Sequence, residues 1–230
     1  MLDDRPETAT INPNKNAMQT SSFERDMLTE IYISAIPECE IASLGYKERD
    51  EEIARATSDK VRREKYYSWR LLEYALEKSY GMSISDIAPT RNENGKWISE
   101  KIELSISHTD KVCAVALSPR PVGIDIEEIS DRSIDRLAKR ALSDAERDYL
   151  ASVPSESRLR EFFKLWCIKE ATFKLRGERA FIPSSIDALP LIDTAITVTQ
   201  DGADYALAVA SEHSGSVRII QNIDILAVHN

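Results

Sequence analysis

Cysteine, histidine, long apolar runs and net positive charge are all scarce in this chain, and each scarcity removes a class of protein. Three cysteines, Cys39, Cys113 and Cys167, are an odd number at spacings that fit neither a disulfide framework nor a zinc site. Each is read as a small buried hydrophobe in a reducing compartment. His213 and His229 have no motif around them. No apolar run approaches the ~20 residues of a membrane span. The start, with Asp3, Asp4, Arg5, Pro6 and Glu7, lacks the basic and apolar regions of a secretory signal. The expectation is a cytoplasmic protein with no membrane or nucleic-acid partner, since a formal net charge of −9 has the wrong sign for nucleic acid.

What is present fits a soluble protein of 230 residues, 42% apolar and 30% charged, enough for one sizeable domain or two small lobes. Residues 1 to about 22 are polar and unpatterned and read as a flexible lead-in. Met27 to Ile33 alternates as a strand. Thr57-Ser58-Asp59 offers caps for a long helix to Tyr80, closed by Gly81, with an apolar face of Val61, Trp69, Leu72, Ala75 and Leu76. Cations concentrate early on that helix, where Lys60, Arg62, Arg63, Lys65 and Arg70 face one acid, Glu64. This is either the polar face of an amphipathic helix or an anion site near free helix amides.

Glu103 to His108 and Lys111 to Leu117 read as paired strands, and Ser118-Pro119-Arg120-Pro121 as a lobe boundary. Ser143 with Glu146 forms a capping box, and Ser157 to Arg176 a main helix closed by Gly177. Ala195 to Gln200, Tyr205 to Ala210 and Val217 to Asn222 read as a strand meander. A long helix before a group of strands thus occurs twice.

Two segments carry chemistry. In Gly123-Ile124-Asp125-Ile126-Glu127, read as a strand, the two carboxylates share one face and the isoleucines the other. On the main helix Trp166, Glu170 and Lys174 lie on one stripe. If that stripe faces the strand, three carboxylates and an ammonium meet, and such a set of hard oxygens suits Mg²⁺. Spacing alone also admits a solvated strand exit and an ordinary helical ion pair.

Together, Gly-Ile-Asp-Ile-Glu and the later Trp166-x-x-Lys169-Glu170-Ala171-x-x-x-Lys174 resemble the paired signature of the 4′-phosphopantetheinyl transferases. Ser105-Ile106-Ser107-His108 resembles the Ser-His element of the larger, two-lobed, surfactin-synthetase-activating type. The resemblance runs from about Thr57 to Ile182. It implies an α+β fold of two similar α/β lobes in pseudo-twofold arrangement with the active site in the cleft between them. The corresponding division is an N-terminal lobe over 23–118, holding the coenzyme A 3′-phosphate, and a C-terminal lobe over 119–230, holding Mg²⁺ and the catalytic residues.

The implied reaction moves the phosphopantetheine arm of coenzyme A to a serine of an apo acyl or peptidyl carrier protein, by a monomeric enzyme. By resemblance Asp125, Glu127 and Glu170 hold Mg²⁺. Glu170 is also the general base, directly or through a water, and Lys174 neutralises the phosphate. Lys60, Arg63, Arg70, Lys96, Ser107, His108 and Lys169 are the implied coenzyme A contacts. Gly95-Lys96-Trp97 resembles the family's Gly-Lys-Pro turn, with Trp97 in place of proline. Trp166, Phe162, Phe163 and Phe173 read as core. Two alternatives stand: a non-catalytic module binding coenzyme A or a carrier, and another Mg²⁺-dependent phosphoryl-transfer enzyme.

Overall fold

Alternation along the strands decides how the layers of the protein stack. The computed structural model describes residues 27–131, 133–212 and 215–226. The lead-in read at residues 1 to 22, His213 and His229 all lie outside the described residues. In β1 (Leu28–Ala35), β4 (Glu103–His108) and β5 (Val112–Ser118), one set of side chains, among them Tyr32, Leu104, Cys113, Val115 and Leu117, packs on a long helix. The opposite set, including Ile31, Ile33, Val112, Ala114 and Ala116, packs on the strand β6 (Val122–Glu128) through Val122, Ile124 and Ile126.

The long helix, α2 (Asp59–Tyr80), follows a short polar helix, α1 (Lys47–Ala54). Ser58 caps α2 by accepting from the Val61 amide, and Gly81 ends it at φ 62°, a left-handed conformation that glycine adopts without strain. Trp69, Leu72, Ala75 and Leu76 are fully buried beneath it. A one-turn helix, α3 (Ile84–Ile87), and a small hairpin, β2 (Thr90–Arg91) with β3 (Trp97–Ile98), lead to β4.

Beyond β6 come α4 (Asp135–Ala141), α5 (Asp144–Ser152) and the main helix α6 (Ser155–Arg176). The capping box at Ser143 and Glu146 forms with both its hydrogen bonds. After two 3₁₀ turns come β7 (Ala195–Gln200), β8 (Ala203–Ser211) and β9 (Ser216–Ile223). One sheet runs β4-β5-β1-β9 and another β6-β8-β7. Helix α2, the two facing sheets and α6 therefore stack in sequence, a mixed α+β fold.

The expected meander needs correction. β7 and β8 pair antiparallel across the Asp201-Gly202 turn, but β9 leaves them and pairs parallel with β1. Its Ile219 and Ile220 pack on different core clusters, one between the sheets and one under α2. That suits a strand in the first sheet, which has apolar neighbours on both faces.

Among the described glycines, the one packed closest to foreign backbone lies where β6 meets α6. A Cβ at Gly123 would stand 2.0 Å from the Ala171 carbonyl oxygen and 2.5 Å from the Leu175 amide nitrogen, both rigid backbone. Gly123→Ala is therefore expected to cost about 3 kcal/mol or more of stability, at the upper end of overpacking effects. A urea melt within about 1 kcal/mol of wild type, the lower end of overpacking effects, would show that strand and helix can part cheaply.

Candidate active site

Because β6 lies flat on α6, its odd-numbered residues face the helix. Asp125 is buried, and its Oδ1 accepts from Lys174 Nζ at 2.7 Å and from Ser107 Oγ at 2.7 Å. Its Oδ2 is buried without a hydrogen-bond partner. Glu170 lies one turn before Lys174 on α6. Burial, reinforced by the negative charge of Asp125 and then Glu127, raises its pKa to about 7, with Lys174 opposing the rise. The strand face and the helix stripe thus come together as read from the sequence.

An orphaned buried carboxylate oxygen beside further carboxylates is a donor set suited to a hard divalent cation. Among the described residues, no three such side chains already surround a common point. Ligation by all three carboxylates would require at least one of them to rotate.

The other predicted residues divide. His108 ends β4 with Nδ1 3.6 Å from Glu64 Oε2. Burial, then the charges of Lys174, Arg49 and Lys65, push its pKa down to about 4, so its imidazole is neutral at pH 7. Lys60 pairs with Asp110, beyond the end of β4. Lys96 donates to the Leu175 carbonyl at 3.1 Å and Asn94 to that of Gly177 at 2.8 Å, so the β2–β3 turn grips the C-terminus of α6. With Arg91, Trp97, Ser105, Phe173 and Lys174, Lys96 lines a cleft of about 210 Å³. A larger apolar cavity of about 390 Å³ lies by the β5–β6 connection and contains none of the predicted residues.

Four of the implied coenzyme A contacts are engaged within the protein or line another surface. Lys169 is fully buried, paired with Glu146 at 2.8 Å and donating to the carbonyls of Pro183 and Ile186. One residue along a helix turns the side chain by about 100°, which carries Lys169 away from the Glu170 stripe. Ser107 Oγ is engaged by Asp125, Lys174 and the Ile126 amide, which leaves it no bond for a phosphate. Arg70 pairs with Glu73, and Arg63 lines a surface basin with Glu38, Glu40 and Cys39, which is exposed rather than buried as expected, its two glutamate neighbours keeping it in water. Phe162 and Phe163 are buried and Trp166 packs against their cluster, as core residues should, whereas Phe173 is only half-buried, packs on Phe181 and lines the cleft.

A second cluster escaped the sequence reading. Glu52 of α1 takes ion pairs from Arg49 at 2.6 Å, Arg91 at 2.9 Å and Lys65. Burial would raise its pKa, but the three cations overcome this and hold it at about 2. Arg91 stacks over Trp97, and Arg49 over Trp69. The group carries two positive charges more than negative and borders the cleft. Its only sequence signal was cationic: α1 buries just Arg49 and Ile53, so no apolar period announces it.

Two outcomes follow from these charges. Lys169→Met leaves Glu146 buried and unpaired and is expected to lose about 3–5 kcal/mol in a urea melt. A loss below about 1 kcal/mol, the scale of exposed pairs, would return Lys169 to the surface. For Glu170, the folded state keeps its proton up to about 7, whereas the ordinary value is 4.5. Between these values the native state binds more protons than the unfolded chain, so stability falls as pH rises through that window and levels off above it. Metal-free Glu170→Gln should match wild type near pH 4 and exceed it by roughly 2–3 kcal/mol at pH 8. A wild-type advantage at pH 8 would contradict the raised pKa.

Comparison with known proteins converges on the same segment. Residues 121–222 match the 4′-phosphopantetheinyl transferase superfamily. The chain is 39% identical over 94 residues to the 4′-phosphopantetheinyl transferase gsp of Aneurinibacillus migulanus, covering 40% of this chain and 39% of that protein. It is 33% identical over 111 residues to psf-1 of Bacillus pumilus, covering 47% of each. With Sfp of Bacillus subtilis the match is 27% over 147 residues, covering 63% of this chain and 62% of the relative. The matched region therefore spans less than two thirds of each relative. Residues 121–222, which contain both the carboxylate strand and the lysine-bearing helix, are thus similar to the 4′-phosphopantetheinyl transferase superfamily, and the relatives named above are 4′-phosphopantetheinyl transferases.

Proposed function

We propose that this protein transfers the phosphopantetheine arm of coenzyme A to a serine of an apo acyl or peptidyl carrier protein and releases adenosine 3′,5′-bisphosphate. The observation that carries this reading is the buried Asp125 carboxylate, held on one oxygen by Lys174 and Ser107 and without a hydrogen-bond partner on the other, beside a Glu170 raised to about 7. Asp125, Glu127 and Glu170 would hold Mg²⁺, which when bound offsets negative charge on the pyrophosphate.

In the transfer, the carrier serine oxygen bonds to the β-phosphorus, and the bond from that phosphorus to the bridging pyrophosphate oxygen breaks. Glu170 takes the hydroxyl proton, directly or through a water. A base poised near neutrality suits that task, while metal ligation draws its pKa down. Lys174 faces the charge that develops on the transferred group.

The 3′-phosphate falls to the cluster of Arg49, Lys65 and Arg91, with neutral His108 as a hydrogen-bonding group and Lys60 and Lys96 at the margins. Three cations share the single acid Glu52, so positive charge is left for an anion. The two helix–sheet pairs are read as lobes over 23–118 and 119–230 in pseudo-twofold arrangement, with the cleft between them, β9 reaching back to the first sheet, and one chain sufficing as a cytoplasmic monomer. No described helix is long and apolar enough to cross a membrane.

Intact-mass measurement after incubation with coenzyme A, Mg²⁺ and purified apo carriers tests the reaction. The expected result is a carrier mass gain that requires Mg²⁺ and drops at least a hundredfold in rate for Asp125→Ala and Glu170→Ala, as for loss of a charge-stabilising group (about 10²–10³). Arg91→Ala should raise KM for coenzyme A about tenfold, the worth of one charged hydrogen bond, and leave KM for 3′-dephospho-coenzyme A unchanged. Equal losses on both substrates would remove the 3′-phosphate from this cluster. Coenzyme A binding without transfer to any carrier would favour the non-catalytic module.

A further inference from the structure

β6 is an edge strand among the described residues, so the amides on the side away from β8 need acceptors from elsewhere. Hydroxyl groups supply them in place of a backbone ladder. The Ile124 amide donates to Ser105 Oγ at 3.0 Å, and the Ile126 amide to Ser107 Oγ at 3.3 Å. Both pairs advance by two residues, so Ser-x-Ser on β4 forms two side-chain rungs against the edge of β6. Asp125 lies between the rungs.

A serine hydroxyl has one proton and two lone pairs. Ser107 donates that proton to Asp125 Oδ1 and accepts from the Ile126 amide and from Lys174 Nζ at 3.0 Å. Its capacity is filled inside the protein. Because Ser107 and Lys174 both occupy Oδ1, the carboxylate is held in one orientation, with Oδ2 buried and without a hydrogen-bond partner.

Resting on the Mg²⁺ reading above, we infer that Ser107 is a positioning residue that fixes the orientation of the Asp125 carboxylate for the divalent cation, and that Ser105 fixes the strand on which Asp125 rides. Ser107 thereby contributes to metal affinity and has no direct contact with coenzyme A.

Mn²⁺ binding to the metal-free protein, followed by electron paramagnetic resonance without coenzyme A or carrier, reads this role apart from turnover. Ser107→Ala and the near-isosteric Ser107→Cys should each weaken Mn²⁺ binding about 10–100-fold, the usual effect of losing a group that orients a metal ligand. Ser107→Thr, which keeps the hydroxyl, should recover most of it. Ser105→Ala should weaken binding about threefold, a loss of one modest hydrogen bond. Thermal melts identify which variants fold, and using three substitutions at position 107 keeps the test open if one does not. Mn²⁺ affinity unchanged in Ser107→Ala or Ser107→Cys, with a raised KM for coenzyme A, would overturn the inference and make Ser107 a phosphate ligand. If wild type itself binds no Mn²⁺, the Mg²⁺ reading falls and the inference with it.

Discussion

The close approach of β6 to α6 is the constraint on which the site depends. With no side chain at Gly123, the strand settles against the backbone of Ala171 and Leu175. Two residues further along β6, Asp125 then meets Lys174 directly. A wider gap would place water between carboxylate and ammonium. The desolvation that raises Glu170 would also weaken, since its largest cause is burial at this same interface.

That interface is held from both sides. On the outer flank of α6, the buried Lys169–Glu146 pair ties the helix to the start of α5 and, through the Ala188 amide, to the 3₁₀ segment before β7. At its C-terminus, Lys96 and Asn94 bind the last carbonyls from the β2–β3 turn. Three separate parts of the chain thus fix the rotation and axial position of one helix. Buried ion pairs contribute little net stability, so what this one supplies is registry. A turned helix would present Lys169, in place of Glu170, to β6.

Much of this was legible because it is periodic. Strand alternation put Asp125 and Glu127 opposite Ile124 and Ile126, and the core clusters divide along that line. Ser58, Gly81, Ser143 and Gly177 marked helix ends through local chemistry that needs no distant partner. Lys169 was misread because adjacency in a motif was taken for adjacency in space. Its helical neighbours Phe162, Leu165 and Thr172, at i−7, i−4 and i+3, are all buried and signalled the correct face. The β9 crossing and the Glu52 cluster were not legible at all. A strand's own residues do not name its partner, and Glu52 lies 39 positions from Arg91.

The substitution of Trp97 for the proline expected at that turn has a consequence for charge. Trp97 stacks at 4.8 Å on Trp69, while the Arg91 guanidinium covers it at 4.2 Å and also binds Glu52 and the Gly95 carbonyl. Arg91 is therefore held in place on the aromatic ring before any ligand arrives, and the ordering cost that binding would otherwise carry is already met within the fold. In an acidic chain of net charge −9, a coenzyme A reading requires positive charge to be both local and fixed. Glu52 gathers the three cations without neutralising them, and the tryptophan pair keeps one of them at the rim of the cleft that also contains Lys174. An anion bound at Arg91 and a second at Lys174 would then share one groove, as a ligand phosphorylated at two separate positions would require.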